Sequence, residues 1–286
     1  MLGTRIINHL AKLVPPLQLI SIAGTRRFEQ SFTGVDVLML ISYASIQIEY
    51  RSEAHKNAIR AAHRSSVSNI SYSSLVFGGN FEKTSFCHVM GAHLATETDL
   101  ATELPRPIAL LTYIAICEGL YSDLFSIYLA LFDQRNLVEE ITIPQSGSGL
   151  GIAWAKRNGI GEATANMIVS YTAGPEILRF LNQVVLLSRP EVMSLGETVR
   201  LLGRAVGKSS RFGRSRRTNV LLCRKLGEYT SCWETFRRSE AAVVLLLLGE
   251  ILARELERFE TTFKGNVGKI LRTFSVIAVS NELEGI

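Results

Sequence analysis

The chain has 286 residues, of which 47% are hydrophobic and only 20% are charged, so its composition excludes an intrinsically disordered protein. That length is sufficient for one large domain or for two lobes with a substantial core. The 31 lysines and arginines exceed the 26 acidic residues, which gives a formal net charge of +5. The longest apolar runs are interrupted by charge before they reach the roughly 20 residues of a membrane-spanning helix, so we predict no transmembrane span.

The first 28 residues include basic but no acidic residues, and leucine and isoleucine recur on one face of a helix. We interpret this segment as an N-terminal helix or arm that ends at Pro15-Pro16. An organelle transit peptide is the alternative interpretation, because such peptides are also amphipathic and poor in acidic residues.

Helices dominate the elements that the hydrophobic pattern predicts after this arm. Residues 37–50 leave strand and helix both open, 51–64 predict a helix, and 65–80 predict a loop or hairpin. The further predicted helices are 83–103, 108–136 (one or two helices), 152–158, 162–171, 175–188, 194–206, 220–229 and 233–263. A Pro- and Gly-rich break at 141–151 predicts a boundary between two lobes.

The predicted fold is therefore mainly α, a two-lobed helical protein with a minor β or irregular portion in its N-terminal part. The predicted domains are an N-terminal arm at 1–30, an N-terminal lobe at 31–145, a C-terminal helical lobe at 146–264 with a basic loop at 198–227, and a C-terminal tail at 265–286.

The strongest functional signal is the stretch 198–227, which carries nine basic residues and no acidic one. Since the whole chain sums to +5, the remainder sums to 5 − 9 = −4. Concentrated positive charge attracts polyanions, and the planar arginine fork suits phosphate oxygens. The residues that we predict to bind RNA or single-stranded nucleic acid are Lys156, Arg157, Arg200, Arg204, Lys208, Arg211, Phe212, Arg214, Arg216, Arg217, Arg224 and Lys225.

Within this set we expect the residues of the basic loop to contact phosphates, Phe212 to stack on a base, and Lys156 and Arg157 to extend the groove. The alternative interpretations of the same charges are a solvated loop, a docking surface for an acidic protein and, around 214–217, a nuclear localisation signal.

Two glycine patterns are candidates for phosphate-binding turns. Gly159-Ile160-Gly161 resembles the turn of a helix-hairpin-helix motif, with a plain helix–helix turn as the alternative. The run 147–151 follows a strand-like segment, but Ile152 stands where a dinucleotide-binding loop would place its third glycine, and no βαβ alternation surrounds it.

The acidic and metal-ligating side chains give weaker signals. Cys87, His88 and His93 lie close in sequence, but no second pair completes a zinc site, so we expect a polar patch on a helix. Glu118 and Asp123 interrupt an apolar run and could be buried acids with shifted pKa values, although such residues more often mark a solvent edge.

Short segments of the chain resemble a known protein family. Residues 37–42, 46–49 and 51–53 resemble a segment in the N-terminal lobe of negative-strand RNA virus nucleoproteins. Residues 154–158 resemble a Trp-x-basic-basic-x-Asn run in the C-terminal lobe of the bornavirus type, although Asn158 here follows the basic pair directly. The resemblance implies a two-lobed helical protein that clamps single-stranded RNA in a basic cleft and assembles through terminal arms.

We therefore expect a non-catalytic protein that packages RNA or single-stranded nucleic acid as a homo-oligomer, with no cofactor and no metal. Scattered cysteines without a CxxC pair favour a reducing compartment such as the cytoplasm, the nucleus or a virion, with the mitochondrion as the alternative. A structural subunit of an organelle or membrane-associated assembly is the second hypothesis. A helical enzyme with Glu118 and Asp123 in a buried pocket is the third.

Overall fold

The structure, a computed structural model, describes only part of the chain. The described residues are 1–21, 28–43, 45, 47–76, 84–85, 87–103, 111–128, 140–143, 149–205, 211–214 and 240–262, with 126–127, 141–143, 211–214, 240, 260 and 262 described by their backbone alone.

The described elements alternate between strands and helices along most of the chain. The strands are β1 Val37–Leu40, β2 Asn69–Leu75, β3 Thr112–Glu118, β4 Glu140–Ile143, β5 Gln183–Leu187 and β6 Arg211–Arg214. The α-helices are α1 Leu2–Leu13, α2 Phe28–Phe32, α3 Ile48–Arg64, α4 Met90–Glu103, α5 Phe125–Tyr128, α6 Arg157–Ala173, α7 Leu195–Ala205 and α8 Leu247–Leu252. Short 3-10 turns lie at Pro16–Gln18, Ser122–Leu124, Pro175–Ile177, Glu240–Ala242 and Phe259–Thr262.

Four of the strands form one parallel sheet in the order β1-β2-β3-β5. Leu40 lies opposite Tyr72, and Glu118 lies opposite both Leu75 and Leu187, so the carboxyl ends of the strands meet at one edge of the sheet. The strands β4 and β6 form a separate parallel pair. A parallel sheet requires a crossover between successive strands, and α3, α4 and α6 lie in these crossovers.

Helices cover both faces of the four-stranded sheet. Along β3 the side chains alternate, so that Tyr113 and Ala115 join the cluster of buried residues under α3 and α4. Ile114 and Ile116 point to the opposite face and join a cluster with α1, α6 and α8. The sheet is thus buried on both sides, which is the arrangement that parallel sheets require.

The expectation of a mainly α, two-lobed helical protein is wrong, because the centre of the molecule is this parallel sheet. A strand that is buried on both faces is a continuous apolar run, and periodicity does not distinguish such a run from a buried helix. The predicted helix at 108–136 contains β3, and the predicted helix at 175–188 contains β5. The predicted loop or hairpin at 65–80 contains the parallel strand β2.

Among the other predicted elements, some agree with the structure and others differ in extent, such as the predicted helices 152–158 and 162–171, in place of which the structure has the single helix α6. The predicted helices at the N-terminus, at 51–64 and at 194–206 are confirmed as α1, α3 and α7. The described part of the predicted helix 233–263 holds the short helix α8 between two 3-10 turns. The predicted helix 220–229 lies outside the described residues. None of the helices in the described ranges is both long and apolar enough to cross a membrane.

Candidate functional site

Polar side chains collect where the strands β1, β2 and β3 end. Ser42 follows β1, Ser74 lies near the end of β2, and Glu118 is the last residue of β3. In open α/β sheets, ligands bind in the crevice beyond the carboxyl ends of the strands. The carboxyl edge of the sheet is therefore the candidate functional site.

A buried arginine joins the first turns of α3 and α4 to this edge. Arg51 is only 3% exposed, and its Nη2 donates to Ser42 Oγ and to His93 Nε2, each at 2.8 Å. A guanidinium only donates, so His93 Nε2 accepts and its Nδ1–H donates to the Tyr72 hydroxyl oxygen at 3.0 Å. Burial, followed by the charge of Arg51, holds the pKa of His93 well below its usual value, so His93 is neutral.

A second histidine on the next turn of α3 has an equally fixed tautomer. The Tyr43 backbone N–H donates to His55 Nε2 at 2.9 Å, so His55 Nδ1–H donates to Thr96 Oγ1 at 2.8 Å. Thr96 in turn donates to the Ala92 carbonyl oxygen at 2.7 Å. Burial, and then Arg51, lowers the pKa of His55 to about 4. Both histidines are thus neutral, and their hydrogen bonds link α3, α4 and the ends of the strands.

One of the acidic residues of α4, Glu97, faces the same strands. Ser74 Oγ donates to Glu97 Oε1, and the Cys117 thiol lies 3.6 Å from the same oxygen. Burial raises the pKa of Glu97, against the opposing hydrogen bond from Ser74. Burial and the nearby Glu97 carboxylate raise the pKa of Cys117, so this thiol is not an activated nucleophile.

The end of β3 carries a buried carboxyl group with an aromatic partner. Glu118 is 3% exposed, and the Tyr121 hydroxyl donates to its Oε2. Burial raises the pKa of Glu118 to about 7, and the Tyr121 hydrogen bond opposes this rise. The Arg157 guanidinium lies 4.6 Å from the Tyr121 ring centroid and forms an ion pair with Asp123 Oδ2 at 3.1 Å. Burial thus brings the pKa of Glu118 close to neutrality, beside a hydroxyl group that donates to the carboxylate.

The N-terminus of α1 lies at this same edge of the sheet. A Cβ added to Gly3, in the first turn of α1, would lie 3.7 Å from Ile41, just beyond β1. The pKa of the Met1 amino group is lowered by partial burial and then by the positive charges of Arg157 and Arg5. Helix N-termini attract anions through their free backbone N–H groups and their dipole.

The residues that the sequence grouped into a nucleic-acid site belong to several different elements. Lys156 pairs with Glu257 and donates to Thr261 at 2.7 Å, while Arg157 pairs with Asp123, so both are neutralised inside the fold. Arg200 and Arg204 lie on α7. The backbone of Arg211, Phe212 and Arg214 forms β6, whereas Lys208, Arg216, Arg217, Arg224 and Lys225 lie outside the described residues.

The other sequence patterns also have different structural roles. Gly159 and Gly161 lie within α6 and not in a hairpin turn, so the helix-hairpin-helix interpretation is wrong. His93 belongs to the Arg51 network, and no group of three metal-ligating side chains exists among the described residues. The βαβ alternation that the sequence analysis did not find is present in β1-α3-β2-α4-β3.

The sequence pattern did not identify several of the residues at this site. Arg51 and His55 look like the polar face of an amphipathic helix, and Tyr72 and Ser74 lie in a segment that resembled a loop. Glu118 gave a usable signal, because an acid at the end of an apolar run is unusual. It would have identified this edge had the run been recognised as a strand.

Comparisons with known proteins agree with this architecture. No protein-family model matches the chain. The chain is similar to an NmrA-like family domain-containing oxidoreductase of Aspergillus flavus, with 28% identity over 241 residues that span 77% of this chain and 70% of that protein.

Two solved structures of reductases have the same fold. A Citrobacter triphenylmethane reductase complexed with NADP(H) superimposes with a TM-score of 0.73 at 19% identity, covering 92% of this chain and 96% of that one. An Escherichia coli NADPH-dependent quinone oxidoreductase complexed with NADPH gives a TM-score of 0.69 at 20% identity, covering 92% and 95%. The chain therefore has a Rossmann-like α/β fold.

These findings overturn the functional expectations from the sequence. The resemblance to viral nucleoproteins is wrong, because the similar chains are oxidoreductases. The expectations of a non-catalytic protein and of RNA as its partner are wrong for the same reason: the similar structures bind a nicotinamide cofactor. The similarities point to NmrA-like and related reductases.

Proposed function

We propose that this protein is an NAD(P)H-dependent reductase that acts on a small conjugated acceptor such as a quinone. The observation that carries the proposal is the position of the α1 N-terminus, which lies at the carboxyl edge of a parallel sheet beside β1 and the turn after β3. The similarity to an oxidoreductase and to two reductases of the same fold supports it.

The described chain supplies specific parts of a dinucleotide site. The first-turn backbone N–H groups of α1 would hold the cofactor phosphates, and Gly3 leaves space for their close approach. When bound, a reduced nicotinamide supplies a hydride to the acceptor.

The protein side of the chemistry is the control of a proton. Reduction of a carbonyl or quinone oxygen requires a proton as well as a hydride. Glu118 has a pKa of about 7, and its Oε2 accepts the hydrogen bond of the Tyr121 hydroxyl, so this pair can hold or release a proton at neutral pH. Arg157, over the ring of Tyr121, fixes the position of that ring.

The proposal is tested by mixing the purified protein with NADPH or NADH and a quinone such as menadione, and following the loss of reduced-nicotinamide absorbance. We expect turnover with at least one cofactor, and saturable cofactor binding by fluorescence. A protein that neither binds nor oxidises either cofactor would overturn the proposal.

Two substitutions at one position give a matched control. The carboxylate of Gly3→Asp would interact favourably with the dipole of α1, so we expect no loss of stability. The same carboxylate would repel the cofactor phosphates, so we expect cofactor affinity to fall about tenfold or more. Gly3→Ala adds a methyl group at an ordinary contact distance from Ile41 and no charge. Equal cofactor affinity in these two variants would place the phosphates elsewhere.

A further inference from the structure

A cavity of about 340 Å³ lies beyond the end of β5, and its lining includes no residue of the Arg51 network and neither Glu118 nor Tyr121. Its lining includes the aromatic side chains of Trp154 and Phe259, whose ring centroids are 5.6 Å apart. Arg189, Arg200 and Arg204 also line it. Glu191 and Glu197 line it as well, so three guanidinium groups face two carboxylates, and the remaining positive charge beside the aromatic residues suits an organic molecule that carries a negative charge.

Arg189 is the unusual member of this lining. It is 7% exposed, and its Nη2 donates to Glu191 Oε2 at 2.6 Å. Its Nε is buried and has no hydrogen-bond partner among the described residues. An arginine donor that is buried without a partner is costly, and a ligand in the adjoining cavity would supply the missing acceptor.

The second source of positive charge is the helix α7. Arg200 and Arg204 are four residues apart and therefore share one face of the helix. Glu197 also lines the cavity, but its Oε2 accepts hydrogen bonds from the Ser194 backbone N–H at 2.9 Å and from Ser194 Oγ at 2.7 Å, which caps α7. Among the described residues, no carboxylate forms an ion pair with Arg200 or Arg204.

We propose that this cavity binds an organic anion, with a carboxylate or phosphate group on Arg189 and Arg200 and an apolar body against Trp154 and Phe259. The site is independent of the nicotinamide chemistry proposed above. It is formed by the segment after β5, by one face of α7 and by the two aromatic residues.

The test measures binding of para-trifluoromethylbenzoate by fluorine NMR, with the neutral para-trifluoromethylbenzamide as the matched probe and without any nicotinamide cofactor. We expect the anion to bind about tenfold more tightly than the amide, as one charge-assisted hydrogen bond provides. Phenyl phosphate, added as a competitor, distinguishes a general anion site from one that is selective for carboxylates.

The variants identify the groups responsible. We expect Arg189→Gln to remove the preference for the anion, whereas Arg179→Gln, which alters an exposed arginine paired with Glu250, should leave it unchanged. If Arg189→Gln does not fold, Arg200→Glu on the exposed face of α7 should weaken anion binding by repulsion. Equal affinity for the benzoate and the benzamide in the native protein, or a preference that survives both substitutions, would overturn the proposal.

Because no cofactor is present in the assay, failure of the reductase proposal leaves this result unchanged, and the reverse also holds.

Discussion

Glu118 combines near-complete burial with a carboxyl group, and this combination sets its response to pH. Its pKa is raised to about 7 from a usual value of 4.5, chiefly by burial. The native state therefore binds a proton that the unfolded chain releases, so the free energy of unfolding falls as pH rises through this window. The Tyr121 hydroxyl, which donates to the carboxylate, reduces this penalty without cancelling it.

We predict that the protein loses roughly 2 to 3 kcal/mol of stability from Glu118 between about pH 5 and about pH 8. Glu118→Gln keeps the hydrogen-bond acceptor for Tyr121 and should remove this part of the pH dependence. Urea unfolding at both pH values measures the difference. Glu29→Gln, at an exposed acid that pairs with Arg64, is the control and should retain the pH dependence of the native protein. Parallel pH profiles for the native protein and Glu118→Gln would contradict the prediction.

The close approach of the helices α1 and α6 determines where the N-terminus of α1 lies. A Cβ on Gly161 would be 2.7 Å from Arg5 Cβ and 3.2 Å from the Ile6 backbone nitrogen, so the two helix backbones nearly touch there. Ile6 and Ile160 are buried in the same cluster. The small residue at 161 thus fixes the helix whose first turn forms part of the candidate cofactor site.

We expect Gly161→Val to destabilise the protein by roughly 1 to 3 kcal/mol, because the added side chain forces α1 away from α6. The control lies two residues away in the same helix. A Cβ on Gly159 would meet Leu252 at 3.7 Å, an ordinary contact, so Gly159→Ala should stabilise by about 0.5 to 1 kcal/mol through the unfolded chain. Thermal unfolding measures both, and equal effects of the two substitutions would argue against the close packing.

In the four-stranded sheet, the backbone amides of the central strands are better protected from solvent than those of the edge strand β1. The strands β2 and β3 have a neighbour on each side, whereas β1 pairs only with β2 among the described strands, and all four of its residues are half-buried. A strand at the edge of a sheet leaves half of its backbone groups without a ladder partner.

We predict that amide hydrogens of β3 exchange most slowly with solvent and that the outward amides of β1 exchange faster, by local opening. Hydrogen exchange read by mass spectrometry or NMR measures this order. Equal protection of β1 and β3 would contradict it and would show that another segment or another copy covers the edge of β1.

The sequence alone predicted several local features of this fold. The helices α1, α3 and α7 are predicted from local sequence, α1 from its amphipathic spacing and α3 from its alanines and the absence of breaking residues. Glu118 was also recognised as a possible buried acid, because a carboxyl group within an apolar run is unusual.

The sheet and the site required the tertiary structure. The strands β1, β3 and β5 are apolar on both faces, so their sequences resemble buried helices. The contacts of Arg51 with Ser42 and His93 join three separate parts of the chain, and sequence spacing does not predict such contacts. The basic stretch was recognised from charge, which fixes a preference for anions but not the surface that receives them. Packing decides the surroundings of each arginine. Arg200 lines a cavity, whereas Arg157 is paired with Asp123, because only the folded chain determines which opposite charges lie within contact distance.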